Sequence, residues 1–75
     1  MAVNYNRLWH LLIDRGMKRT DLRVLAGIST NTLAKLGKNK NVSTSIIAKI
    51  CVALHCDVGD VMECTPTNEN KDEDL

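Results

Sequence analysis

Residues 30–36 read TNTLAKL, a run in which Thr30, Asn31, Thr32 and Lys35 could all act on a partner. An amide carries a donor and an acceptor side by side, which fits the N6 and N7 edge of adenine. An ammonium donates to guanine O6 and N7, and a threonine can hydrogen-bond or touch a thymine methyl. Each good two-pronged contact of this kind discriminates between bases by about 1–3 kcal/mol. A second set of residues has the chemistry of phosphate binding. Lys18, Arg19 and Thr20 precede the apolar run that starts at Leu22, Ser29 precedes the polar four, and Lys38, Asn39, Lys40 and Asn41 follow them. Cations, small polar groups and the free N–H groups of a helix start hold phosphates without reading sequence. With about four phosphates neutralised per protomer, log affinity against log salt would slope near −3.6.

These side chains can work together only if short helices aim them. Between Arg19 and Leu36 two helical patterns are hinged on Gly27-Ile28-Ser29, with Leu22, Ala26, Ile28, Leu33 and Leu36 spaced to face inward. The spacing predicts a first helix over about Asn4–Arg15, with Tyr5, Leu8, Trp9 and Leu12 on one face and Gly16 as its stop. A second runs from Lys18 or Thr20 to Ala26, with Leu22, Leu25 and Ala26 inward and Gly27 free to take the left-handed stop. The third spans 29–38, with Ser29 as cap and Ile28 and Leu33 in the positions of a hydrophobic staple. Val42, Ser43 and Ile47 repeat that grammar for a fourth helix, whose stripe is Ile47, Ile50, Cys51 and Leu54. Cys56, Asp57 and Val61 repeat it again for a short fifth. The expected fold is therefore all-α, a compact five-helix bundle over residues 1–64. A helix, a tight glycine turn and a steeply crossing second helix can push a helix into the DNA major groove.

The run GMKRTDLRVLAGISTNTLAKLGKNKNVSTSIIAKICVALHCDVGDVM resembles the Cro/C1-type (phage-repressor-like, XRE-type) helix-turn-helix family, over about residues 4–63. The resemblance implies a lambda-repressor-like fold whose third helix enters the major groove. It assigns base reading to Thr30, Asn31, Thr32 and Lys35, and places the protein in a bacterial or phage-derived cytoplasm, associated with the nucleoid. Three departures from the family pattern involve four positions. Arg19 replaces a usual Gln at the start of the second helix; a cation suits a phosphate there, but the bridge that Gln makes to the reading helix is not carried over. Arg23 replaces a usual Ala, so its stem must snorkel outward. Gly37 and Asn39 stand where Glu and Gly are common; Gly37 weakens the helix end by about 1 kcal/mol relative to Ala, and Asn39 can adopt the left-handed stop.

Composition narrows the alternatives. The net charge is only +1, but residues 1–45 carry +6 and residues 46–75 carry −5, so one face can be strongly cationic. There is no Phe, and a single Trp and a single Tyr, which favours a core of Leu, Ile, Val, Ala and Met. No apolar run nears the roughly 18 residues that span a bilayer, and the start MAVNYNRLWHLL lacks a secretory pattern, so a soluble cytoplasmic protein is expected. Three cysteines without that pattern argue against a disulfide framework. Cys51, His55, Cys56 and Cys64 lack a Cys-x-x-Cys pair, so neither metal nor cofactor is expected. His10 and His55 have no partner at a catalytic spacing, so no enzyme is expected. Residues 65–75, TPTNENKDEDL, read as an acidic, solvated tail.

A single small module seldom reaches useful selectivity, so a homodimer on a palindromic operator in double-stranded DNA is expected, with Val58, Val61 and Met62 as candidate contacts. The leading reading is a transcriptional regulator that represses by occupying a promoter. Activation through RNA polymerase is one alternative. Another is a protein-binding adaptor such as a DNA-binding antitoxin, whose tail would wrap a small protein partner.

Overall fold

Apolar side chains three and four apart draw just over half of the residues that the computed structural model describes, 2–66, into four helices. The order is β1 (Ala2–Asn4), α1 (Asn6–Asp14), α2 (Arg19–Ala26), α3 (Thr30–Gly37), α4 (Thr44–Leu54), a single 3-10 turn (Val58–Asp60) and β2 (Glu63–Thr65). Leu8, Leu22, Leu36, Ile50, Leu54 and Val61 are fully buried at the centre, with Tyr5, Leu12, Ile28 and Ile47 around them. Each such side chain stabilises the fold by about 1.5–3 kcal/mol through its removal from water. Every helix contributes to this one core, so the orientation of α3 is set by the whole domain.

Three features differ from the sequence expectation. The fifth helix is only a single 3-10 turn with Gly59, a poor helix former, at its centre; a carboxylate capping box opens it, and the Val61 N–H closes it on the Val58 carbonyl. The Val58 N–H donates to Asp57 Oδ1 at 2.8 Å and the Asp57 N–H to Asp60 Oδ2 at 3.1 Å, the reciprocal pattern of a helix start. A small sheet is also present. β1 and β2 pair antiparallel, Ala2 with Thr65, Val3 with Cys64 and Asn4 with Glu63. This pairing takes Asn4 out of the first helix, which starts at Asn6, and takes Thr65 out of the expected tail. Residues 67–75 of that tail lie outside the described residues. Thirdly, Leu25 is 55% exposed. The buried stripe of α2 is centred between Leu22 and Ala26, and position 25 lies off its edge.

Two arginines counted among the basic side chains serve this closure. Arg7 bridges to Glu63 at 3.4 Å and donates to the Gly59 carbonyl at 3.0 Å, tying α1 to the C-terminal segment. Arg15 donates from Nη1 to the Leu54 carbonyl at the end of α4. No helix among the described residues is long and apolar enough to cross a membrane.

Candidate nucleic-acid interface

Gly27 sets the turn that aims α3. Its φ of 68° is left-handed, and with it the Ile28 N–H reaches back to the Arg23 carbonyl at 3.1 Å, closing α2. Ile28 then goes into the core at 4% exposure, which anchors the chain just before Ser29. Ser29 Oγ accepts the Thr32 N–H at 3.1 Å and donates to Thr32 Oγ1 at 3.0 Å. This cap satisfies one orphan amide and leaves those of Thr30 and Asn31 directed off the helix end, where an anion is favoured.

With Leu36 buried and Leu33 packed against the core, the outward face of α3 carries Asn31 and Lys35, one turn apart, and Ala34 between them. Thr30, Asn31 and Lys35 are exposed, as the sequence predicts. Thr32 is half-buried and its hydroxyl is held by Ser29, so of the four it is the one already engaged in the fold. Ala34 was not among the residues singled out from sequence. Its exposure follows from the same helical phase.

The cations gather around α3 through specific contacts. The Lys18 N–H donates to Asp21 Oδ2 at 2.8 Å, which closes the start of α2 with a carboxylate. The Arg19 guanidinium lies over the Trp9 ring, 3.8 Å from its centroid, and reaches Gly37 at the end of α3. Thr20 is exposed beside it. Beyond Gly37 the loop turns sharply. Asn39 takes a left-handed φ of 56°, as its residue type allows, and the Lys40 N–H bonds the Lys35 carbonyl at 2.9 Å. Asn39 Oδ1 accepts the Tyr5 N–H at 3.3 Å, and the Tyr5 hydroxyl donates to the Lys40 carbonyl at 2.7 Å. Lys38, Lys40 and Asn41 are exposed on this pinned loop. Arg23 is half-buried, consistent with a stem lying along the helices.

Burial raises the Tyr5 phenol above its ordinary value, so it keeps its donating proton further into the alkaline range. Burial, and then the neighbouring Cys51, likewise push up the Cys56 thiol. Of the candidate dimer contacts, Val58 is 48% exposed and Met62 half-buried, but Val61 is fully buried. Val61 therefore closes the core and presents nothing to a second chain. Among the described residues, no group of three or more His, Cys, Asp or Glu side chains is placed to hold a metal ion.

Comparison with known proteins meets this geometry directly. The Cro/C1-type HTH DNA-binding domain matches residues 7–67. The chain belongs to this family. The Cro/C1-type domain thus spans α1 through β2, and its partner is double-stranded DNA. A solved structure described as transcriptional regulator VanUg, Form II, is similar at a TM-score of 0.85 and 53% sequence identity, covering 88% of each chain. No curated protein sequence matches the chain. In this Cro/C1-type chain the position usually held by Gln is Arg19, which lies against the indole of α1.

Proposed function

We propose that this protein is a sequence-specific transcriptional regulator that represses by occupying a promoter, with α3 in the major groove. The observation that carries the reading is the outward face of α3. Asn31 and Lys35 stand exposed one turn apart on a capped helix, with Lys18 and Arg19 beyond one edge and the Lys38–Asn41 loop beyond its end. Asn31 suits adenine, Lys35 suits guanine, and the Ala34 methyl suits the methyl of thymine. Thr30 and the amides at the helix start reach the flanking base or phosphate. The likeness to a transcriptional regulator at 53% identity supports the regulatory role.

Sequence discrimination by so small a surface calls for two copies, and a two-fold dimer reads half-sites about 10 bp apart. Val58 and Met62 remain the candidate contacts. Selection from a random duplex pool by the purified protein tests the whole reading. A short inverted repeat should be enriched, and the protein should occupy it with two copies per duplex. A pool that emerges without enrichment overturns sequence-specific regulation.

A further inference from the structure

Arg19 touches two other helices at once. Its guanidinium carbon lies 3.8 Å from the centroid of the Trp9 ring on α1, and its Nη1 would be 3.2 Å from a Cβ placed on Gly37 of α3. We propose that Trp9 and Gly37 are positioning residues that hold the Arg19 guanidinium in one direction, preset for a DNA phosphate. This rests on the DNA-binding reading above and adds to it the residues that make the phosphate contact rigid.

Gly37 supplies the first argument. It closes a helix, where glycine is the poorest ordinary choice, and its φ is not in the left-handed region that would demand glycine. The missing side chain has one visible consequence, which is room for Arg19. Trp9 supplies the second. A planar guanidinium stacked on an indole keeps its N–H edges free to donate in the ring plane, and lysine has no equivalent. The third argument is charge. The single ion pair among the described residues is Arg7 with Glu63, so the Arg19 guanidinium has no carboxylate partner there. Lys18 adjoins it in sequence and Lys38 adjoins Gly37, while the nearby Asp21 carboxylate is turned to the Lys18 N–H. Such a group is set to receive an anion, and holding it still in the free protein removes part of the ordering cost of binding.

Trp9 is the single tryptophan, so its emission reports the stack without any label. The full chain is compared with Arg19→Ala, Arg19→Lys, Gly37→Gln and the Arg19→Ala/Gly37→Gln double variant. Three readouts are taken: thermal melting, Trp9 emission without DNA, and binding to a random-sequence duplex over a salt series. A random duplex suffices because phosphate contacts do not depend on sequence. Gly37→Gln should leave the melting temperature near that of the parent, since the better helix former offsets the lost stack. It should nevertheless shift Trp9 emission and weaken duplex binding by about two- to tenfold, the cost of ordering one long side chain on binding. Arg19→Ala should make the salt slope shallower by about 0.9, while Arg19→Lys keeps the slope and loses the emission signature. In the Arg19→Ala background Gly37→Gln should have no further effect on Trp9 emission or duplex affinity. Parental emission and affinity in Gly37→Gln, or a full additive loss in the double variant, overturns the proposal. A parent chain that binds no duplex overturns the underlying reading instead, and the emission arm still decides whether the stack exists.

Discussion

Asn31 and Lys38 separate the two jobs a DNA-binding surface must do. Asn31 is exposed on the outward face of α3 and Lys38 follows the helix end; on the proposed reading the first reads one base pair and the second meets the backbone. Asn31→Ala should therefore flatten the preference at one position of the half-site, costing about 1–3 kcal/mol on the preferred sequence and little on random DNA. Lys38→Ala should weaken all duplexes alike and make the salt slope shallower by about 0.9. Titration of both variants against a selected and a scrambled duplex checks this pair of outcomes, and a sequence-selective loss in Lys38→Ala would contradict its anchoring role. Ser29 differs from both. Its hydroxyl is committed to Thr32, so Ser29→Ala should lower stability by about 1 kcal/mol in chemical denaturation even before any DNA is added.

The elements repeat one device at different quality. α2 and α4 both end on a left-handed residue, Gly27 at φ 68° and His55 at φ 53°. Glycine adopts that conformation without steric cost, whereas a residue with a Cβ is strained there by about 1 kcal/mol. His55 is exposed, so His55→Gly should raise unfolding stability by about that amount while leaving duplex affinity unchanged. A fall in the melting temperature would mean that His55 makes a contact worth more than the strain. What could be read from sequence was of this local kind. The Ser29 and Ser43 caps, the Gly27 and Asn39 turns and the buried stripes of α1, α3 and α4 each depend on residues within a turn or two. The signals that failed are long-range. Nothing near Val3 announces its pairing with Cys64, and nothing near Arg7 or Arg15 announces that they bind Glu63, Gly59 and Leu54 rather than face a ligand. The Arg19–Trp9 stack was hidden for the same reason, although the unusual Arg19 and Gly37 were both visible as departures. Leu25 shows a subtler limit, since an apolar residue 60° off a stripe can fall on either side of the core boundary.

At the scale of the molecule, Tyr5 joins the parts that the helices alone would leave loose. It follows β1, opens α1, is 1% exposed, and holds the basic loop through both its N–H and its hydroxyl. Tyr5→Phe should cost about 1 kcal/mol at neutral pH, the net worth of one hydrogen bond whose carbonyl partner can be rehydrated. The pH dependence gives a sharper test. Burial raises the folded-state pKa above the ordinary tyrosine value of 10.0, so the folded chain keeps its phenolic proton after the unfolded chain has begun to lose it. The unfolded state then binds fewer protons, and the stability of the parent must fall as the pH rises. That contribution is fully present below pH 10.0 and is lost as the pH passes up through the folded value. Phe has no such proton. Lysines and cysteines titrate in both chains, so the difference between the two denaturation curves isolates Tyr5. The parent should be the more stable at neutral pH, and its advantage should shrink steadily on the alkaline side. An advantage that stays constant above pH 10.0 would show that the phenol ionises equally in both states, and hence that the loop is not held by a buried hydroxyl.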